Sequence, residues 1–210
     1  MGVCGRIRLA AFDLDGTIVR DATCVDAIAR GLGRTAEARS FEALSMRDVP
    51  SITRARERMA RWFDHVSLDE ACATLGTLPL APGCAECFER LRDAGVTTAV
   101  VSITWEPAVA WFADELGIEH RLGTALRGDG SIAHVWPADK GAWVERLRDE
   151  LGVPADAVAA VGDSDGDREL LAAAALRIAV GRATVDGVQG VVHLPRADLR
   201  DVADRILATG

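Results

Sequence analysis

Lysine occurs once in these 210 residues, at Lys140, and asparagine is absent. With 24 basic side chains against 32 acidic ones and a formal charge of -8, the chain lacks the positive excess that a nucleic-acid partner demands. Long apolar runs are missing too. No stretch reaches the roughly 18–20 residues of a membrane span, and the segment ahead of Asp13 is too short for a signal peptide. The five cysteines, Cys4, Cys24, Cys72, Cys84 and Cys87, form an odd, scattered set without the spacing of a disulfide framework. Cys84-Ala85-Glu86-Cys87 has metal or redox spacing, but no second Cys/His pair lies nearby, and it reads as reduced thiols at a helix start. Internal repeats and low-complexity tracts are absent. Together these absences predict a soluble, cytoplasmic protein with neither a nucleic-acid nor a membrane partner.

What is present is enough apolar material, 49% of the chain, to bury a substantial core. Ile7 to Phe12, Val96 to Val101 and Val158 to Val161 are short apolar runs bounded by Gly, Asp or Ser, and they read as strands. Helical stripes lie between and after them: Val109, Phe112 and Leu116; Val144, Leu147 and Leu151; Leu199, Val202 and Ile206. Strands alternating with helices predict an α/β fold, a doubly wound parallel sheet with helices on both faces. Residues 20–76 break the alternation. Two helical stripes follow one another there, Val25-Ile28-Ala29-Leu32 and Met59-Trp62-Phe63-Val66, with no strand between them. The chain returns through Leu78-Pro79-Leu80-Ala81-Pro82-Gly83. A helical cap, 20–76, is therefore expected after the first strand of a core formed by 1–19 and 77–210. Gly128-Asp129-Gly130 predicts a small hairpin within Arg121 to Ala133.

In AAFDLDGTIV, residues 10–19, Asp13 and Asp15 stand two positions apart at the end of a buried strand, where like charges repel. Ser102 follows the second strand, Gly162-Asp163-Ser164-Asp165-Gly166-Asp167 a later one, and Lys140 lies near a helix start. Ligands of an open parallel sheet bind outside the carboxyl ends of its strands, so these four clusters can converge. Asp13, Asp15 and Asp163 would then form an oxygen-rich site for a hard cation such as Mg2+, which neutralises their repulsion. Ser102 and Lys140 supply a hydroxyl and a positive charge for phosphate oxygens. Asp13 and Asp15 divide naturally into a carboxylate nucleophile and a proton donor to the leaving alcohol. Helix caps and turns would explain any one cluster, but not all four at successive strand ends.

D-x-D-G-T, a serine after the second strand, a lone lysine and then G-D-x-x-x-D resemble the haloacid dehalogenase-like (HAD) hydrolases over essentially the whole chain. The resemblance implies a Rossmann-like core and an aspartyl-phosphate on Asp13, with Asp15 acting as general acid and then general base. It also implies phosphate binding by Thr17, Ser102, Ile103 and Lys140. Mg2+ would be held by Asp13, the Asp15 backbone carbonyl and Asp163, with Asp167 as a supporting acid. An acid at position 15 is similar to the family's phosphatases rather than its dehalogenases.

The helical insertion resembles the cap of the phosphoserine phosphatase-like branch. By that likeness Arg58 would bind a substrate carboxylate, which a planar guanidinium suits, although Arg54, Arg56, Arg58 and Arg61 also read as a solvated helix face. Asp21 or Asp26 would replace the glutamate that the branch uses for the substrate ammonium. Ile103-Thr104 stands where the branch carries two glycines, and Gly166 where it carries asparagine. Trp105, close behind Ser102, is a candidate pocket wall. The expected partner is a small phosphomonoester, with phosphoserine the leading single substrate. Another sugar, alcohol or carboxylate-bearing ester, a phosphotransferase or mutase, and a non-catalytic phospho-ligand binder are the alternatives.

Overall fold

The computed structural model describes residues 5–181 and 185–209, with the side chain of Leu68 left aside; Cys4 lies outside the described residues. Seven strands form one sheet in the order β4-β3-β2-β1-β5-β6-β7. They are β1 (Leu9–Phe12), β2 (Thr97–Trp105), β3 (His120–Leu126), β4 (Ile132–Ala133), β5 (Val158–Gly162), β6 (Leu176–Val180) and β7 (Val191–Leu194). All pairings are parallel except β3 with β4, the expected hairpin. Two strands, β6 and β7, go beyond the sequence reading.

Side chains of a strand alternate between faces, and β1 shows how this builds two cores. Ala10 and Phe12 join one apolar cluster, where Phe12 meets Phe88 with ring centroids 4.8 Å apart. Leu9 and Ala11 join the other, with Val144, Leu147, Leu170 and Leu171. The first face is covered by α5 (Cys84–Asp93), α6 (Glu106–Leu116) and α9 (Leu199–Leu207), the second by α7 (Pro137–Glu150) and α8 (Arg168–Ala172). Cys84 and Cys87 open α5 as buried free thiols, as their spacing near a helix start implied.

Between β1 and α5 the chain is helical: α1 (Cys24–Gly31), α2 (Thr35–Glu42), α3 (Val49–Ala60) and α4 (Leu68–Cys72), with short 3-10 turns at 61–63 and 75–77. Its entry and exit are tied together. Arg20 N–H donates to Pro79 C=O, and Ala81 N–H to Ile18 C=O, both at 2.8 Å. Val25, Ile28, Met59, Trp62 and Leu75 from this stretch share the apolar cluster that contains Phe12. The insertion is thus seated on the sheet through a two-stranded stem. Among the described residues no helix is long and apolar enough to cross a membrane.

Candidate active site

The order of strands makes β1 the switch point: the chain winds outward to β2 on one side and to β5 on the other, which leaves a crevice at their carboxyl ends. Asp13 extends the β1 ladder by one bond, its N–H donating to Val161 C=O at 2.9 Å. The chain then turns sharply. Gly16 takes φ +99°, and a Cβ there would lie 2.3 Å from Asp163 Oδ2. Only glycine lets the loop after β1 press this closely on the loop after β5. Arg20 donates to the Gly16 carbonyl and closes the turn.

Lys140 is buried on α7, and its Nζ donates to Asp13 Oδ1 at 2.6 Å and to Asp167 Oδ1 at 2.7 Å. The other oxygen of Asp167 accepts the N–H groups of Asp163 and Ser164 at 3.0 and 3.3 Å, which fixes that carboxylate as a bracket between lysine and loop. Burial pulls the lysine down, but the two carboxylates outweigh it and hold the ammonium above its ordinary range. Burial and then the charge of Asp167 push Asp13 up, while Lys140 opposes them. Burial, with Asp167, raises Asp163 to about 6.

Carboxylate oxygens of Asp13, Asp163 and Asp167 all lie within 4.8 Å of one another. Three hard oxygen donors crowded at low solvent access suit a divalent cation, which lowers the energy of their negative charge. Asp15 stands apart from the cluster. Its Oδ1 accepts the N–H of Cys24, the first residue of α1, at 2.8 Å, while burial raises its carboxyl above the usual range. The proton donor proposed from the sequence is therefore oriented by the helical insertion.

Beside Asp13, Asp15 and Lys140 lies a cavity of about 840 Å³ whose walls come from both the insertion and the sheet; Asp163 and Asp167 are not among its lining residues. Asp13, Asp15, Ser102, Ile103 and Lys140 line it, as does Trp105, the expected wall. Ser102 lies within β2 rather than after it, because the strand runs on to Trp105 through a register shift against β3 between Val101 and Trp105. Such an irregularity re-aims side chains at a strand end. Ser102 Oγ accepts the Thr104 N–H at 3.2 Å, which leaves its own proton to donate. Thr17 is buried beneath the loop, its hydroxyl has no partner among the described residues, and it does not line the cavity.

Two expected residues are not brought to the site. Arg58 is exposed and borders a separate recess with Ala36, Ser40 and Met59; Asp21 is exposed with φ +56°. Asp26, the alternative to Asp21, is in the first turn of α1, away from the cavity walls. Arg56 and Glu42 line the cavity instead. Arg56 is 2% exposed and donates to Ile103 C=O at 2.8 Å and Val135 C=O at 3.1 Å. It also meets His134 Nδ1 at 3.3 Å and lies over the Trp136 ring. Burial lowers its pKa to about 10. The buried face of α3 is Ile52, Ala55, Arg56 and Met59, a helical stripe to which position 56 belongs and position 58 does not. That periodicity was the signal for Arg56. Glu42 ends α2, and its Oε1 accepts the Thr23 hydroxyl at 2.6 Å; nothing in the sequence marked it.

The sheet order and the acid-lysine centre at its switch point define a doubly wound α/β protein with a cation-suited cleft beneath a helical insertion. The chain belongs to the haloacid dehalogenase-like hydrolase family, whose model matches residues 10–172. It is 28% identical over 204 residues to a phosphoserine phosphatase of Archaeoglobus fulgidus, covering 94% of this chain and 55% of that protein. It is also 28% identical over 187 residues to a phosphoserine phosphatase of Polaromonas sp., covering 82% of this chain and 78% of the relative. The chain thus spans about half the length of the first of these relatives. A substrate-bound phosphoserine phosphatase structure superposes with a TM-score of 0.76 at 21% identity, covering 95% of this chain and 98% of that one, which shows the shared fold.

Proposed function

We infer that this chain is a Mg2+-dependent phosphomonoesterase acting through an aspartyl-phosphate, with phosphoserine the leading single substrate. One observation carries the reading: Lys140 bridges Asp13 and Asp167 while Asp15 is held separately by Cys24 N–H. A structural ion pair has no use for a second, separately oriented acid beside the first. Mg2+, held by Asp13 and Asp163 with Asp167 in support, would supply positive charge against the phosphoryl oxygens.

The protein's own groups then divide the work. Lys140 and Ser102 bind and orient the phosphoryl group so that a carboxylate oxygen of Asp13 lies in line with the ester oxygen. As the bond from Asp13 to phosphorus forms, the phosphorus–oxygen bond to the alcohol breaks, and Asp15 gives its proton to the departing oxygen. Asp15, now a carboxylate, takes a proton from water as the water oxygen attacks phosphorus and Asp13 leaves. Residues 20–76 act as the cap, excluding bulk water and, through Cys24, keeping Asp15 aimed at the ester oxygen. Phosphoserine is favoured by the names of the relatives and by the presence of one acid, Glu42, and one base, Arg56, on the cavity wall. These would meet the ammonium and carboxylate of the substrate in place of Asp21 and Arg58.

The test is Mg2+-dependent phosphate release from a panel of small phosphomonoesters that includes phosphoserine, with Asp13→Asn as the blank. Release by the wild type alone supports the reading. Equal release by the variant, or none by either, refutes it.

A further inference from the structure

The cavity is larger than phosphoserine requires. At no more than roughly 30 Å³ per non-hydrogen atom, the share of a liquid water molecule, phosphoserine fills at most about 330 Å³. The cavity, which is partly open to solvent, spans about 840 Å³, within the range of about 300–1,000 Å³ of sites that take much larger ligands. More than half of it therefore lies beyond such a substrate.

Apolar side chains make up much of the cavity wall, beside the charged Glu42, Arg47, Arg56, Arg168 and Glu169. Val25, Phe41, Met46, Val49, Trp105 and Trp136 line it, drawn from the insertion and from the sheet alike. Trp105 meets Phe63 edge-on at 5.6 Å, and Trp136 is stacked on His134 at 5.4 Å. Val49 is 47% exposed, unusually open for a large apolar side chain in this protein. Ile103-Thr104 adds bulk beside Ser102.

Two polar groups of the walls are partly engaged within the protein. Three acceptors already engage Arg56, and Glu42 accepts from Thr23. Thr104 also lines the cavity, but its hydroxyl is buried away from the accessible surface, with no partner among the described residues. Phosphate-binding groups at one end and apolar side chains on the wall fit a phosphate ester on a bulky apolar alcohol.

We propose that the site also takes phosphomonoesters of large, ring-bearing apolar alcohols, with the ester end near Ser102 and the ring against Trp105 and Trp136. This rests on the phosphomonoesterase reading and extends it to a second substrate class. Each methylene buried against these walls adds about fourfold to binding, and the gain carries into kcat/KM.

The experiment compares kcat/KM of the wild-type chain, with Mg2+, for ethyl, n-butyl and 2-phenylethyl phosphate, whose leaving alcohols are of similar acidity, beside phosphoserine. Efficiency should climb along the series by more than tenfold from ethyl to 2-phenylethyl. Trp136→Ala should shrink the ratio between those two esters. A flat or falling series overturns the proposal even where phosphoserine is hydrolysed well, and the phosphatase reading then stands alone. Hydrolysis of none of the four esters removes both. The series needs only the wild type, so a poorly folding Trp136→Ala does not decide it.

Discussion

Gly141→Ala isolates the packing that delivers Lys140 to the acids. The residue lies inside α7, next to Lys140, and a Cβ built there would stand 2.3 Å from the backbone carbonyl oxygen of Glu169 on α8 and 2.8 Å from its carbon. A backbone group cannot swing aside as a side-chain tip can, so the two helices must separate by most of an ångström. Helix propensity alone would favour alanine by roughly 1 kcal/mol. Forced overpacking costs about 1–3 kcal/mol, and a contact this short against backbone belongs at the upper end of that range. The net expectation is a destabilisation of about 1–2 kcal/mol, read as a lower urea midpoint at unchanged slope. Turnover should fall further than stability does, by about 10²-fold, because a shift of about 1 Å in Lys140 misaligns it with Asp13. Gly128→Ala is the control: nothing lies within 4 Å of its Cβ position, and its effect should stay within about 0.5 kcal/mol. Gly141→Ala with an undiminished urea midpoint and full turnover would refute this account of how α7 and α8 place the lysine.

Other consequences can be measured on the same protein. Lys140→Met leaves the carboxylates of Asp13 and Asp167 buried without their cation, and should lower the unfolding free energy by about 3–5 kcal/mol at neutral pH; a loss below 1 kcal/mol would show that the bridge is not formed in solution. Arg56→Ala should destabilise the chain and impair turnover, whereas Arg58→Ala, on the exposed face, should stay within about 0.5 kcal/mol and keep full activity. Burial and then the charge of Arg56 lower the pKa of His134, so the unfolded chain takes up that proton more readily. The stabilising contribution is therefore complete above about pH 6.5 and is lost as the pH falls through the folded-state value. The fall in urea midpoint between about pH 7.5 and 5.5 should be smaller in His134→Gln than in the wild type; an equal fall would exclude this contribution.

The parts of the molecule that could be read from the sequence are those where one physical requirement dominates. Asp13 and Asp15 stood out because paired charges at a buried strand end need a cation or a lysine, and the structure brings both Asp163 and Lys140 to Asp13. The helical insertion was legible because its apolar stripes have the helical period, and its return point because prolines and glycine interrupt it. Strand β6 was not legible. The run Leu170 to Leu176 is rich in alanine, whose helix propensity hides the boundary between α8 and the strand. Strand β7 sits at the sheet edge, where none of its residues is fully buried and no strong alternation results. Arg58 was chosen by position along the chain, yet α3 turns Arg56 inward, because burial follows helical phase rather than sequence offset. Asp21 failed for a different reason: it occupies a left-handed turn leading into α1, which points it away from the cleft. Glu42 enters the cavity wall only through the packing of α2 beside α1, a tertiary relation with no local signature.

Asp13 is expected to carry the phosphoryl group during turnover. The most direct measurement is an acid quench of the working enzyme, with Mg2+ and the phosphomonoester it hydrolyses fastest, followed by mass mapping of the peptide that contains Asp13 to Asp15. A phosphoryl group on Asp13, absent from Asp13→Asn together with all phosphate release, is the predicted result. Phosphate release that persists in Asp13→Asn, or a phosphoryl group found on another residue, would contradict it.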